Sequence, residues 1–175
     1  ERVMRIHKRT GARKVVQVLA NGLPALVMAA IWFFTGLVPF KVAAAASLAA
    51  GFADSVAGDV GVLSRGKTVS VLGFRRVERG MSGGITLAGS IATVLASALG
   101  AAIPAFFGEY GAALFGVGTL GAVAGCTLDS VLGASVQALY RCGECGRETE
   151  RTECCGKPTE LVRGFGFINN DAVNC

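Results

Sequence analysis

Four long apolar stretches dominate the sequence, and each has the length that a helix needs to cross a hydrocarbon core, about 20 residues. They cover residues 15–38, 42–63, 84–107 and 112–138. With 52% hydrophobic and only 17% charged residues among 175, the chain is too apolar for a soluble domain of its size. The sequence therefore predicts an all-α fold, a polytopic membrane helix bundle with about four transmembrane helices.

Lysine and arginine are concentrated in the loops expected on one side of this bundle. They crowd residues 65–79 and 141–163, whereas the turn at residues 108–111 has none. The positive-inside rule then places both termini, the middle loop and any site beside them in the cytoplasm. We divide the chain into a transmembrane bundle, residues 1–140, and a cytoplasmic Cys-rich segment, residues 141–175.

The net charge of +5 fits this topology better than it fits a nucleic-acid surface. The basic residues lie where they would meet anionic lipid headgroups, so we expect a membrane and no nucleic acid as partner. A homo-oligomer is compatible with such a bundle.

Carboxylates interrupt two of the apolar stretches. Asp54 and Asp59 lie in the second stretch and Asp129 in the fourth. Ionised groups in such places are costly and usually functional. Because no histidine or cysteine is expected near them, they predict a hard oxygen site for Mg²⁺ or Mn²⁺.

Asp54 and Asp59 are about 140° apart around an α-helix, so a straight helix does not aim both at one point. We expect either that the second helix opens near Gly58 or that Asp59 reaches the site from the helix mouth.

Amide and guanidinium side chains fall at a similar depth. Arg13, Gln17 and Asn21 recur every four residues on one face of the first helix, and Gln137 continues the polar face of Asp129. These residues and the carboxylates predict a polar cavity that faces the cytoplasm.

The sequence GMSGG at residues 80–84, the glycine loop, follows Arg79 directly before the third apolar stretch. Free N–H groups at a helix N-terminus bind anions, so the amides of Ser82, Gly83 and Gly84 are candidate phosphate ligands. A tight turn is about equally compatible with the same residues. The neighbouring basic residues, Lys67 among them, favour phosphate.

Four thiols lie close together in the Cys-rich segment: Cys142, Cys145, Cys154 and Cys155. Disulfides are disfavoured in the cytoplasm and metal ligation is the usual alternative. We therefore predict a small zinc-knuckle-like structural Zn²⁺ site. Free thiols, or only one ligand from the Cys154–Cys155 pair, remain as alternatives.

Five blocks of sequence, in this order, resemble the integral-membrane prenyl-phosphate kinases, a family typified by plant phytyl-phosphate kinase whose animal members are called transmembrane protein nineteen. They are QVLAN at 17–21, ADSVAGDVG at 53–61, GMSGG at 80–84, LDSVLGA at 128–134 followed by Gln137, and NNDAVN at 169–174. The chain departs from the family at Ser55, Asp59 and Met81, where relatives usually have Thr, Glu and Thr.

The resemblance implies transfer of the terminal phosphate of a nucleotide, with CTP favoured, to phytyl, geranylgeranyl or farnesyl phosphate. Asp54, Asp59 and Asp129 would hold magnesium and act in catalysis with Arg79. Residues that would bind or orient the substrates are Arg13, Gln17, Asn21, Ser55, Lys67, Ser82, Gly83, Gly84, Gln137, Asn169, Asn170 and Asn174.

Three other functions are compatible with the same residues. Intramembrane carboxylates also serve transporters and ion-coupled carriers. A lipid-phosphate cytidylyltransferase would use nearly the same site as a kinase, and a non-catalytic scaffold would depend on the cysteines alone.

Overall fold

The structure is a computed structural model that describes residues 15–107, 111–168 and 173. Four long α-helices account for most of this part of the chain: α1 (Val15–Thr35), α2 (Val38–Leu63), α3 (Leu87–Phe107) and α4 (Gly111–Ser135). The predicted helical bundle is thereby confirmed. Each helix begins and ends within four residues of its predicted limits.

Helix α2 resolves the two alternatives for its carboxylates. It follows Leu37 with a proline in its first turn and continues without interruption to Leu63. Gly58 lies within this regular helix, so the backbone of α2 does not open at Gly58. Of the two alternatives for Asp59, the one that requires a break near Gly58 is therefore wrong.

Helix α3 begins at Leu87 rather than at residue 84, because the preceding residues pair as a strand. β1 (Val69–Ser70) and β2 (Gly84–Ile85) form an antiparallel ladder. The hydroxyl of Thr86 then accepts the backbone N–H of Gly89 at 3.0 Å, the usual contact of a helix N-cap. The glycine loop therefore leads into the strand β2, which begins at Gly84, and is not the first turn of α3.

Within the described residues, α2, α3 and α4 are each long and apolar enough to cross a membrane. The part of α1 whose side chains are described without a gap, Asn21 to Thr35, is apolar but shorter than a membrane span. α1 packs mainly on α2, while α2, α3 and α4 pack on one another. Three of the roughly four predicted spans therefore meet the length requirement in the part of the chain described here.

The bundle has small residues inside and large apolar residues outside. Ala53, Ala101 and Ala122 are completely buried, whereas Phe106 and Phe107 are each 84% exposed. This distribution is typical of membrane helices, since lipid solvates large side chains and small ones let backbones approach closely.

After α4 the chain forms the β-module, residues 139–163. β3 (Leu139–Arg141) lies between β4 (Glu148–Thr149) and β7 (Glu160–Arg163), with both pairs antiparallel. β5 (Glu153–Cys154) and β6 (Lys157–Pro158) form a separate hairpin. The β-module carries the four cysteines.

Replacing Gly100 by alanine should separate α2 from α3. A Cβ atom there would lie 3.0 Å from Ala49 Cα and 3.1 Å from Ala49 Cβ, which is tighter than most contacts of a Cβ atom, so α2 would have to shift by a few tenths of an ångström. We expect a loss of about 1–3 kcal/mol in stability, the usual effect of overpacking. Thermal unfolding in detergent would measure it.

Gly116→Ala in α4 is the matched control, because a Cβ atom there meets nothing within 4 Å. Equal melting temperatures for the two variants would contradict the proposed packing of α2 on α3.

Candidate active site

A cavity of about 520 Å³, the polar cavity, lies where α2, α3 and α4 meet the glycine loop. It is lined by side chains from four helices and by the loop itself. The sequence-predicted residues among its lining are Asn21, Asp54, Asp59, Ser82, Gly83, Gly84, Asp129 and Gln137. Residues from all four helices and from the glycine loop are thus brought to one place.

The three carboxylates differ in their exposure. Asp54 and Asp129 are half-buried, whereas Asp59 is exposed at the cytoplasmic end predicted for α2. Asp54 and Asp129 are close enough to interact electrostatically with each other and with the thiol of Cys126. An exposed carboxylate retains more of its hydration, so Asp54 and Asp129 form the inner part of the site.

Four buried oxygens of residues that line the cavity lack a hydrogen-bond partner within the described part of the chain: Asn21 Oδ1, Thr68 Oγ1, Asp129 Oδ1 and Gln137 Oε1. Buried polar atoms in native proteins are nearly always satisfied. The amide oxygens of Asn21 and Gln137 and the carboxylate oxygen of Asp129 are acceptors, so the group that satisfies each of them is a cation or a hydrogen-bond donor.

Ser82 is held by two side chains from beyond the glycine loop. Its backbone N–H donates to Glu150 Oε1 at 2.8 Å, and its hydroxyl accepts Gln137 Nε2 at 2.8 Å. The backbone N–H of Gly84 donates to Met81 O at 2.9 Å. Two of the three amides predicted to bind phosphate therefore already donate to protein oxygens.

The glycine loop packs directly on the end of α4. Gly83 has a φ of 74°, and a Cβ atom there would lie 2.4 Å from Ala134 Cβ. A Cβ atom on Gly133 would lie 3.0 Å from the backbone nitrogen of Gly83. Glycine is required at both positions, since only its absent side chain permits this approach.

Three other predicted residues do not line the polar cavity. Arg79 donates from Nη2 to Gly66 O at 3.0 Å, which joins the two ends of the middle loop. Lys67 is exposed, and the hydroxyl of Ser55 donates to Gly51 O at 2.7 Å within α2. Their roles in substrate binding remain predictions.

Several predicted residues cannot be placed. Arg13, Asn169, Asn170 and Asn174 lie outside the described residues. Gln17 belongs to α1, but its side chain is outside the described part.

Three residues of the site were not predicted from the sequence. Glu150 contacts Ser82 across 68 residues of chain, and no spacing indicates this. Thr68 is buried in the polar cavity. Arg163 donates from Nη2 to Gly133 O at 3.3 Å and thereby places a cation at the C-terminal end of α4, where the helix dipole favours positive charge.

A second cavity of about 260 Å³, the apolar cavity, also borders Asp54 and Asp129. Its walls come from α1, α2 and α4 and are mostly apolar. They include Pro24, Ala50, Gly51, Leu128 and Leu132, with Val173 beside them. Asn21, Asp54, Cys126 and Asp129 line both cavities.

The four thiols of the Cys-rich segment converge in the β-module. The Sγ atoms of Cys142, Cys145, Cys154 and Cys155 all lie within 4.8 Å of one another. The backbone N–H of Cys145 lowers the pKa of the Cys142 thiol to about 7. Shared hydrogen bonds with Cys145 and then Cys154 raise the pKa of Cys155 to about 12.

Two curated proteins resemble this chain. The uncharacterized membrane protein MJ0933 of Methanocaldococcus jannaschii is 34% identical over 128 residues, covering 70% of this chain and 50% of that protein. Protein PGR of Arabidopsis thaliana is 27% identical over 135 residues, covering 69% of this chain and 45% of Protein PGR. The chain thus spans about half the length of these relatives, and no solved structure matches it significantly.

A family model matches residues 2–175, which is nearly the whole sequence. Its description, an integral membrane protein, agrees with the apolar helices of the bundle. The chain belongs to the integral membrane protein family DUF92.

Proposed function

We propose that this protein is a membrane kinase that transfers the terminal phosphate of a nucleotide, CTP by resemblance, to a prenyl monophosphate. The observation that carries the proposal is the meeting of two unlike cavities at Asp54, Asp129 and Asn21. A reaction between a water-soluble phosphate donor and a lipid phosphate requires such an arrangement. Phytyl, geranylgeranyl and farnesyl phosphate are the candidate acceptors.

The apolar cavity suits the acceptor. The first part of a prenyl chain would lie against Leu128, Leu132 and Pro24, and the rest would remain among the lipids. The phosphate at its end would then reach Asp54 and Asp129. Two carboxylates repel a phosphate, so a cation must accompany the reaction at this point.

The polar cavity suits the donor. The carboxylate of Glu150 already occupies an anion position at the Ser82 amide, which supports the glycine loop as a place for a phosphate oxygen. A nucleotide phosphate would compete with Glu150 for this amide. We expect the nucleotide to enter from the cytoplasm, in keeping with the positive-inside rule.

The residues at the junction of the cavities fit Mg²⁺ or Mn²⁺. Asp54 and Asp129 offer carboxylate oxygens at the junction, and Asp59 offers one from the polar cavity alone. The unpartnered Oδ1 atoms of Asn21 and Asp129 belong to residues that line both cavities. Oxygen donors of this kind are those that hard divalent cations prefer. When bound, the metal would neutralise charge and align the two phosphates.

The reaction needs no general base. An oxygen of the acceptor phosphate, a dianion near neutral pH, attacks the terminal phosphorus of the nucleotide. A new P–O bond forms while the bond from that phosphorus to the bridging oxygen breaks, and the nucleoside diphosphate leaves with the electron pair. The protein contributes alignment and charge stabilisation, and the bundle limits the access of water.

Turnover in detergent with Mg²⁺ tests the proposal. CTP, ATP, UTP and GTP are each supplied with the three acceptors. We expect a prenyl diphosphate and a nucleoside diphosphate as products, with CTP as the favoured donor. Asp54→Asn and Asp129→Asn should each reduce kcat about 10³-fold, since several kcal/mol of charge stabilisation are lost. The exposed Asp59 should matter less, and Asp59→Asn is the matched comparison.

Release of pyrophosphate instead would indicate a cytidylyltransferase. If the folded protein forms no product with any pair of donor and acceptor but conducts cations or protons in vesicles, it is a transporter rather than a kinase.

Leu132→Trp should fill part of the apolar cavity. We expect KM for the prenyl phosphate to rise about tenfold, since a blocked apolar contact is worth 1–3 kcal/mol, while KM for the nucleotide stays unchanged. Steady-state kinetics with each substrate varied in turn would separate the two effects.

Leu120→Trp on the same helix is the control, because Leu120 is 72% exposed and lines neither cavity. An equal change in both KM values in Leu132→Trp would place the acceptor elsewhere.

Glu150→Ala should free the Ser82 amide for the donor. Removing the competing carboxylate should tighten nucleotide binding by up to about tenfold, since a hydrogen bond to a charged group contributes about 1.5 kcal/mol or more. Equilibrium binding of a fluorescent nucleotide to the detergent-solubilised protein would measure it.

Glu153→Ala removes an exposed carboxylate from the same module and should leave the affinity unchanged. Weaker nucleotide binding in Glu150→Ala would show that Glu150 supports the donor site rather than competing for it.

A further inference from the structure

We propose that Cys142, Cys145, Cys154 and Cys155 bind one structural Zn²⁺ ion, which holds the two hairpins of the β-module together. This site lies outside both cavities, and its existence does not depend on the proposed kinase activity.

The spacing of the sulfur atoms fits a tetrahedral metal site. Cys154 Sγ lies 3.8 Å from Cys145 Sγ and 3.8 Å from Cys155 Sγ. Zn–S bonds of about 2.3 Å in a tetrahedron place neighbouring sulfurs about 3.8 Å apart. A disulfide would require about 2.05 Å, so these thiols are not bridged in pairs.

Two turns present the thiols to one point. Cys142 and Cys145 lie in the turn between β3 and β4, where Gly146 adopts a φ of 66° and donates its N–H to Cys142 O at 2.9 Å. Cys154 and Cys155 lie at the turn between β5 and β6, where the register pairs Cys154 with Lys157.

The adjacent cysteines can both reach the centre because the backbone turns between them. Cys155 has a φ of 54°, a left-handed conformation that is uncommon for a residue with a side chain. Such a conformation is unfavourable and persists where the surroundings stabilise it. A metal–thiolate bond from Cys155 would provide that stabilisation.

The β-module also needs a ligand for its own stability. Its strands are two to four residues long, and its buried side chains are Leu139, Cys142 and Thr149. So small a unit cannot bury enough apolar surface and usually depends on a metal or disulfides. Four sulfur donors fill the coordination sphere of Zn²⁺, which makes the site structural rather than catalytic.

The first experiment measures zinc and iron per chain by mass spectrometry after purification in detergent without chelator. We expect about one Zn²⁺ per chain and at least a tenfold lower content in Cys142→Ser and in Cys155→Ser. Cys126→Ser should retain its zinc, because Cys126 lies in α4 and its Sγ contacts Ala50 O at 3.4 Å.

Cobalt substitution of the wild-type protein keeps the test decisive if the cysteine variants fail to fold. Tetrahedral sulfur coordination should produce strong thiolate charge-transfer and visible d–d bands. Full zinc content in both cysteine variants, iron in place of zinc, or an octahedral cobalt spectrum would each overturn the proposal.

Discussion

The electrostatic interaction between Asp54 and Asp129 is the constraint on which the rest of the site depends. Both carboxylates are half-buried in a bundle whose buried residues are mostly alanine and glycine. Two negative charges at close range in a medium less polar than water repel strongly unless a cation or protons compensate them. Asn21 and Asp129 present unpartnered oxygens in the same cavity, within the described part of the chain, and a cation or a hydrogen-bond donor would satisfy them.

Small residues allow the glycine loop to lie close to these carboxylates. Because Gly83 and Gly133 lack side chains, the loop lies against the end of α4 within a few ångströms of Ala134. Ser82 is thereby brought to Gln137, and the loop borders the cavity that Asp129 lines. The same glycines that permit tight helix packing therefore also determine where an anion-binding amide lies relative to the carboxylates.

The helices, the carboxylates and the cysteine cluster could be predicted because each leaves a local signal in the sequence. Long apolar runs identify α2, α3 and α4, and charge within such runs identifies Asp54 and Asp129. The start of α3 could not be predicted, since the pairing of Gly84 and Ile85 with Val69 and Ser70 is a contact between distant residues. The contact of Glu150 with Ser82 spans 68 residues and has no local pattern, so only the folded chain reveals it.

Ser82 links the membrane bundle to the β-module, since its hydroxyl accepts from Gln137 and its amide donates to Glu150. Glu150 directly follows β4, which the Cys142–Cys145 turn joins to β3. A metal that orders this turn would therefore also fix the carboxylate that faces the glycine loop. In the proposed reaction, Glu150 would keep the amide occupied by an anion until a nucleotide displaces it. The cost of that exchange is small, because one charge-assisted hydrogen bond replaces another.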